Sequence, residues 1–85
     1  GLAADGRYLA FITPIRDQPG ALADLLGHLA DLGANVLDVV HERTRASLAV
    51  ADVDVLLHVE TRGLTHRDTI LRGLAEHGYL ARELG

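Results

Sequence analysis

Twice in this chain a short β-rich run is broken by a turn and followed by a helical stripe, an alternation that few folds can satisfy. Tyr8 to Ile15 (YLAFITPI) is an apolar run rich in aromatic and β-branched residues, short enough for a strand buried on both faces. Asp17-Gln18-Pro19-Gly20 interrupts it. Ala21, Leu22, Leu25, Leu26, Leu29 and Leu32 then recur at helical spacing, with Asp24, His28 and Asp31 on the other side. Pro19 suits the first turn of that helix, Asp17 or Gln18 can cap it, and Gly33 stands where a left-handed residue ends it.

The second half follows the same logic. Val36 to Thr44 is β-rich but alternates imperfectly, and Arg45 to Ala51 reads as a connection. Asp52 to Arg62 alternates cleanly: Val53, Val55, Leu57 and Val59 face a core, while Asp52, Asp54, Leu56, His58 and Glu60 face water or a partner. Thr65-His66-Arg67-Asp68 resembles a capping box, opening a helix with Ile70, Leu71 and Leu74 as its stripe. Gly78 ends it and Tyr79 to Leu84 is a short final strand.

The order β-α-β-β-α-β predicts an α+β, ferredoxin-like βαββαβ sandwich: a four-stranded antiparallel sheet of spatial order 4-1-3-2 with both helices on one face. Residues 1–7 read as a linker from a missing upstream domain, and residues 8–85 as one domain. The second strand is an edge. It carries Val36, Leu37, Val39 and Val40, so it predicts a homodimer in which strand 36–44 pairs with its own copy, with a tetramer as the next step up. The alternative is that this edge packs on another domain.

Composition removes several function classes. Zero cysteines exclude thiolate metal sites and a Cys nucleophile, and every base is Arg, so no lysine can form a Schiff base. A net charge of −4 with aromatics only at Tyr8, Phe11 and Tyr79 argues against a nucleic-acid partner. No apolar stretch reaches the roughly 18 residues that a membrane span needs. Among the five histidines, His41 and His58 are on neighbouring strands with Glu42 or Glu60 nearby, which falls short of three converging metal ligands. Asp52 and Asp54 share a strand face, and a solvated face explains them better than acid–base chemistry. Ser47, the single serine, lacks the glycine flanks of a nucleophile elbow. An acylphosphatase-like phosphate cradle is disfavoured because Pro19 removes an amide it would use.

The segment with most chemical content is Asp17-Gln18-Pro19-Gly20-Ala21-Leu22. Amides in the first turn of the helix are unpaired donors that can receive a carboxylate, Gly20 permits close approach, and Asp17 can hold an ammonium. Plain capping with no ligand is the competing reading.

These six residues, with Gly33-Ala34-Asn35-Val36 after the first helix, resemble the ACT domain, a regulatory module of amino-acid-metabolising enzymes. Gly6-Arg7-Tyr8, Val36 to Arg43, Glu60-Thr61-Arg62-Gly63 with His66, and Gly78-Tyr79 are similar to the C-terminal end of single-ACT threonine dehydratases (threonine ammonia-lyases). The resemblance spans nearly the whole chain. It implies a cytoplasmic, non-catalytic regulatory domain, with pyridoxal phosphate held by an absent catalytic domain and no cofactor in this chain. It also implies a ligand site at a dimer interface, with Asp17, Gln18, Pro19, Gly20, Ala21 and Leu22 of one subunit facing Asn35 and Val36 of the other. The turn amides would take the carboxylate, Asp17 and Asn35 the ammonium, and Leu22 and Val36 an aliphatic side chain. Some amino-acid-binding members carry a polar residue where this chain has Ile15, which favours an aliphatic effector. Isoleucine opposed by valine is the implied pair. A dimerisation module with no ligand is the alternative function.

Overall fold

The computed structural model describes residues 7–42 and 52–84. Most of the expected linker, the end of the second strand at Arg43 and Thr44, and the connection at 45–51 lie outside the described residues. The elements are β1 (Tyr8–Arg16), α1 (Ala21–Asp31), β2 (Asn35–Glu42), β3 (Asp52–Glu60), α2 (Leu64–Glu76) and β4 (Arg82–Glu83). The sheet order β2-β3-β1-β4 is the predicted 4-1-3-2 read from the other end, and all pairings are antiparallel.

β1 and β3 form the centre, in unbroken register from Tyr8 opposite Glu60 to Arg16 opposite Asp52. Leu9, Phe11, Thr13 and Ile15 of β1 and Val53, Val55, Leu57 and Val59 of β3 are buried. With Leu25 and Leu29 of α1 and Ile70 and Leu74 of α2 all of these except the polar Thr13 make one apolar core, each side chain contributing about 1.5–3 kcal/mol on leaving water. Both helices therefore serve the same sheet face. β1 is not buried on both faces as its composition suggested: Tyr8, Ala10, Ile12 and Pro14 are only half-buried. Pro14 shares parity with Ala10, whose carbonyl accepts the Leu84 N–H, so its missing donor faces the β4 side of β1, past the point where β4 ends.

The imperfect alternation of β2 has a local cause. A register shift between Val36 and Asp38 makes Leu37 an extra residue, so Val36 and Val39, three apart, both pack against the core. Leu37 and Val40 stay 49% and 37% exposed on this edge strand.

Both helices end alike. Gly33 and Gly78, at φ 81 and 86°, follow the C-caps Leu32 and His77. The Gly33 and Ala34 N–H groups donate to Ala30 and Leu29, and those of Gly78 and Tyr79 donate to Ala75 and Leu74. These are two Schellman motifs.

Further expectations need correction. Asp54 is 2% exposed rather than solvated, because β3 is an interior strand and Asp54 lies between Pro14 of β1 and Glu42 of β2. The final strand is Arg82–Glu83 only, since Tyr79 is consumed by the Schellman turn. Thr65 is not a cap: Gly63 holds the N-cap position without a side-chain bond, and His66 reaches back to accept the Arg62 N–H at 2.9 Å. Neither Asp17 nor Gln18 caps α1, whose N-cap is Gly20.

Candidate ligand site

Gly20 has φ 87° and ψ −17°, and the Ala21 N–H donates to the Gln18 carbonyl at 3.2 Å. Pro19 and Gly20 are thus the central pair of a type II turn, Pro fixing the first φ and Gly taking the positive one. Pro19 sits one step before the helix rather than inside it. The Asp24 N–H then donates to Gly20 at 2.9 Å and α1 begins with no side-chain cap, which leaves the positive end of its dipole open to an anion. Asp17 through Gly20 are exposed, and Ala21 and Leu22 half-buried.

Asn35 and Val36 open β2 directly after the Gly33 turn, at the other end of α1. The whole of α1, eleven residues and roughly 16 Å at 1.5 Å per residue, lies between the Pro19–Gly20 turn and Asn35. One chain does not bring them together. Asn35 is exposed and donates from Nδ2 to Glu60 Oε1 at 3.4 Å, while Val36 is half-buried against the core.

What one chain does assemble is a cleft of about 390 Å³ between this turn and the loop after α2. Ile15, Gln18 and Ala21 line one wall, His77, Gly78, Tyr79 and Leu80 the other, with Asp24, Arg16 and Asp52 supplying charge. Arg16 pairs with Asp52 at 3.9 Å. Burial, and secondly the Asp24 carboxylate, push the Tyr79 phenol above its ordinary range. Asp24 and the 77–80 loop were invisible as site residues in the sequence, because only tertiary packing sets them against the turn.

The histidines form no metal centre: among the described residues no group of three or more His, Cys, Asp or Glu is placed to hold an ion. His41 pairs with Val55 in register, and His58 lies opposite Asp38, its Nδ1 3.7 Å from the carboxylate. The closest histidine rings are instead His28 and His77, with centroids 4.1 Å apart, and His77 Nδ1 lies 2.9 Å from the Gly73 carbonyl. No described helix is long and apolar enough to cross a membrane.

Comparison with solved structures gives prephenate dehydratase from Streptococcus mutans at TM-score 0.73 and 18% identity, covering 92% of this chain and 41% of that one. The regulatory subunit of aspartate kinase from Thermus thermophilus superposes at TM-score 0.61 and 17% identity, covering 94% of this chain and 50% of that one. The chain shares the fold of both. Among curated proteins, the chain is 40% identical over 80 residues to L-threonine ammonia-lyase from Geobacter sulfurreducens, which covers 94% of it. It is also 40% identical over 85 residues to the enzyme of that name from Thermotoga maritima, covering all of it. The chain spans only 20% and 21% of the length of those two relatives, matching their C-terminal portions. No family model matches the chain.

Proposed function

We propose that this chain is an ACT domain that senses a small aliphatic amino acid of the isoleucine and valine class at a dimer interface and regulates an attached threonine dehydratase. The observation that carries the reading is the uncapped type II turn at Pro19–Gly20, an exposed donor cradle, in a chain 40% identical to threonine ammonia-lyases. Two copies pair along β2, and the turn of one, Asp17 to Leu22, faces Asn35 and Val36 of the other. Carboxylate goes to the turn amides, ammonium to Asp17 and Asn35, and the alkyl chain to Leu22 and Val36. Binding favours one arrangement of the dimer, and the coupling to a catalytic domain is worth about 1–3 kcal/mol.

This chain performs no chemistry in that scheme. It has no lysine, so it offers no Schiff-base partner for pyridoxal phosphate, whose reaction belongs to a separate catalytic domain. The enzyme is assigned to the cytoplasm.

A second reading, assembly without a ligand, is favoured by Leu37 and Val40, two of the five exposed large hydrophobics of the described residues and both on the edge strand. Titration calorimetry with a panel of free amino acids, run beside light scattering, separates the two. Sensing requires saturable heat with isoleucine or valine, and the interface site requires its loss in Asn35→Ala with the dimer intact. Silence across the panel to millimolar concentration, with a dimer present, selects assembly alone.

A further inference from the structure

The cleft beside the turn has walls from one chain only, and it exists because β4 is short. β4 runs antiparallel to β1 and its pairing ends where Ile12 meets Arg82. Beyond that point Pro14 to Arg16 have β3 on one side and no strand on the other, and His77 to Leu80 pass by outside the sheet, leaving about 390 Å³ between. That volume suits a small ligand.

Its charges are unequal. Arg16 is already matched by Asp52. Asp24, in the first turn of α1, makes no ion pair among the described residues, and its field reaches the Tyr79 phenol. A carboxylate beside an aromatic ring attracts an alkylammonium, whereas an anion entering here meets two carboxylates and one paired guanidinium. The rest of the lining is mixed: Gln18 and His77 are polar, and Pro14, Ile15 and Leu80 form an apolar part, Leu80 being 72% exposed at the rim and the most exposed large hydrophobic of the described residues.

We infer that this cleft binds the ammonium group of a small aliphatic primary amine or amino acid, with Asp24 as the charged anchor, Tyr79 against the cation and Leu80 against the alkyl chain. The inference rests on the sensing role proposed above and moves the ammonium anchor from Asp17, which is already engaged within the chain, to Asp24. The alkyl body and the ammonium are then read by one subunit, and the partner's Asn35 is not needed to hold the charge.

The test is calorimetric titration of the 85-residue chain with three probes. Isoleucine carries both charges, 2-methylbutylamine lacks the carboxylate, and 3-methylpentanoic acid lacks the ammonium. The first two should bind and the third should not. Asp24→Asn should weaken both binders tenfold or more, and Tyr79→Leu three- to tenfold, with amide shifts at residues 77–80 marking the occupied cleft by NMR. Circular dichroism melts of both variants establish that they fold, and the amide-shift map of the unaltered chain tests the cleft independently of any variant. The pocket is overturned if the acid binds as tightly as isoleucine, or if Asp24→Asn binds the amine with unaltered affinity. Isoleucine binding that Asn35→Ala abolishes and Asp24→Asn leaves intact overturns the pocket and keeps the interface site. Amine binding without isoleucine binding keeps the pocket and overturns amino-acid sensing, and silence with all three probes overturns both.

Discussion

The imidazole of His66 ties the start of α2 to the end of α1 through Leu32. Its Nε2 lies 2.7 Å from the Leu32 carbonyl, and its Nδ1 accepts the Arg62 N–H at 2.9 Å. A carbonyl only accepts and an amide only donates, so both bonds are made together by the neutral Nε2–H tautomer alone. His66 is 9% exposed, and truncation leaves two backbone groups with little water to replace it. His66→Ala is expected to lower stability by about 1–3 kcal/mol in urea melts with an unchanged m-value.

The helices also meet at Gly73. A Cβ there would lie 2.6 and 2.8 Å from the two Leu32 methyls and 3.3 Å from their branch point. Gly73→Ala gains about 1 kcal/mol in helix propensity and loses about 1–3 to overpacking, for an expected net destabilisation near 1 kcal/mol. Combining it with Leu32→Ala should cost less than the two changes summed, because the clash is gone. Additive losses in denaturant melts would mean that the helices do not touch here.

Gly20 presents the opposite case. Nothing lies within 4 Å of a Cβ built on it, yet φ is +87°. Gly20→Ala should therefore lose about 1–2 kcal/mol through backbone strain alone. Gly20→Asn, with the same steric room and a better left-handed tolerance, should recover part of the loss in thermal melts. Equal losses for the two would point to side-chain crowding instead.

Most of this fold was legible because its periods are clean. The core residues of β3, the stripe of α1 and both terminating glycines follow from spacing alone. β2 was less regular in sequence because the extra residue Leu37 puts Val36 and Val39 on one face, and a bulge leaves no mark except broken alternation. Asp54 was misassigned for a related reason: alternation tells which face a residue is on, and says nothing of what covers that face. The turn at 17–20 was legible through Pro19 and Gly20, whose backbone limits are intrinsic. Asp24 and Tyr79 were not, since 55 residues separate them in sequence and only the docking of the 77–80 loop against α1 makes them neighbours.

Tyr79 offers a direct probe of that neighbourhood. Burial first, and the Asp24 charge second, hold its phenol above the usual value of 10.0. In a Tyr8→Phe background it is the only phenol, so its ionisation can be followed by ultraviolet absorbance. The midpoint should lie above that of the unfolded chain, and Asp24→Asn should lower it only part of the way, because burial remains. The sign of the linked stability follows. Above pH 10 the unfolded chain releases this proton while the folded chain retains it, so the unfolded state binds fewer protons and stability falls as pH rises through the folded value. Tyr79→Phe should remove that part of the alkaline slope in urea melts and leave stability near neutral pH little changed. A midpoint at or below the unfolded one would mean that Tyr79 is neither buried nor near Asp24, and the cleft between α1 and the 77–80 loop would lose its aromatic wall.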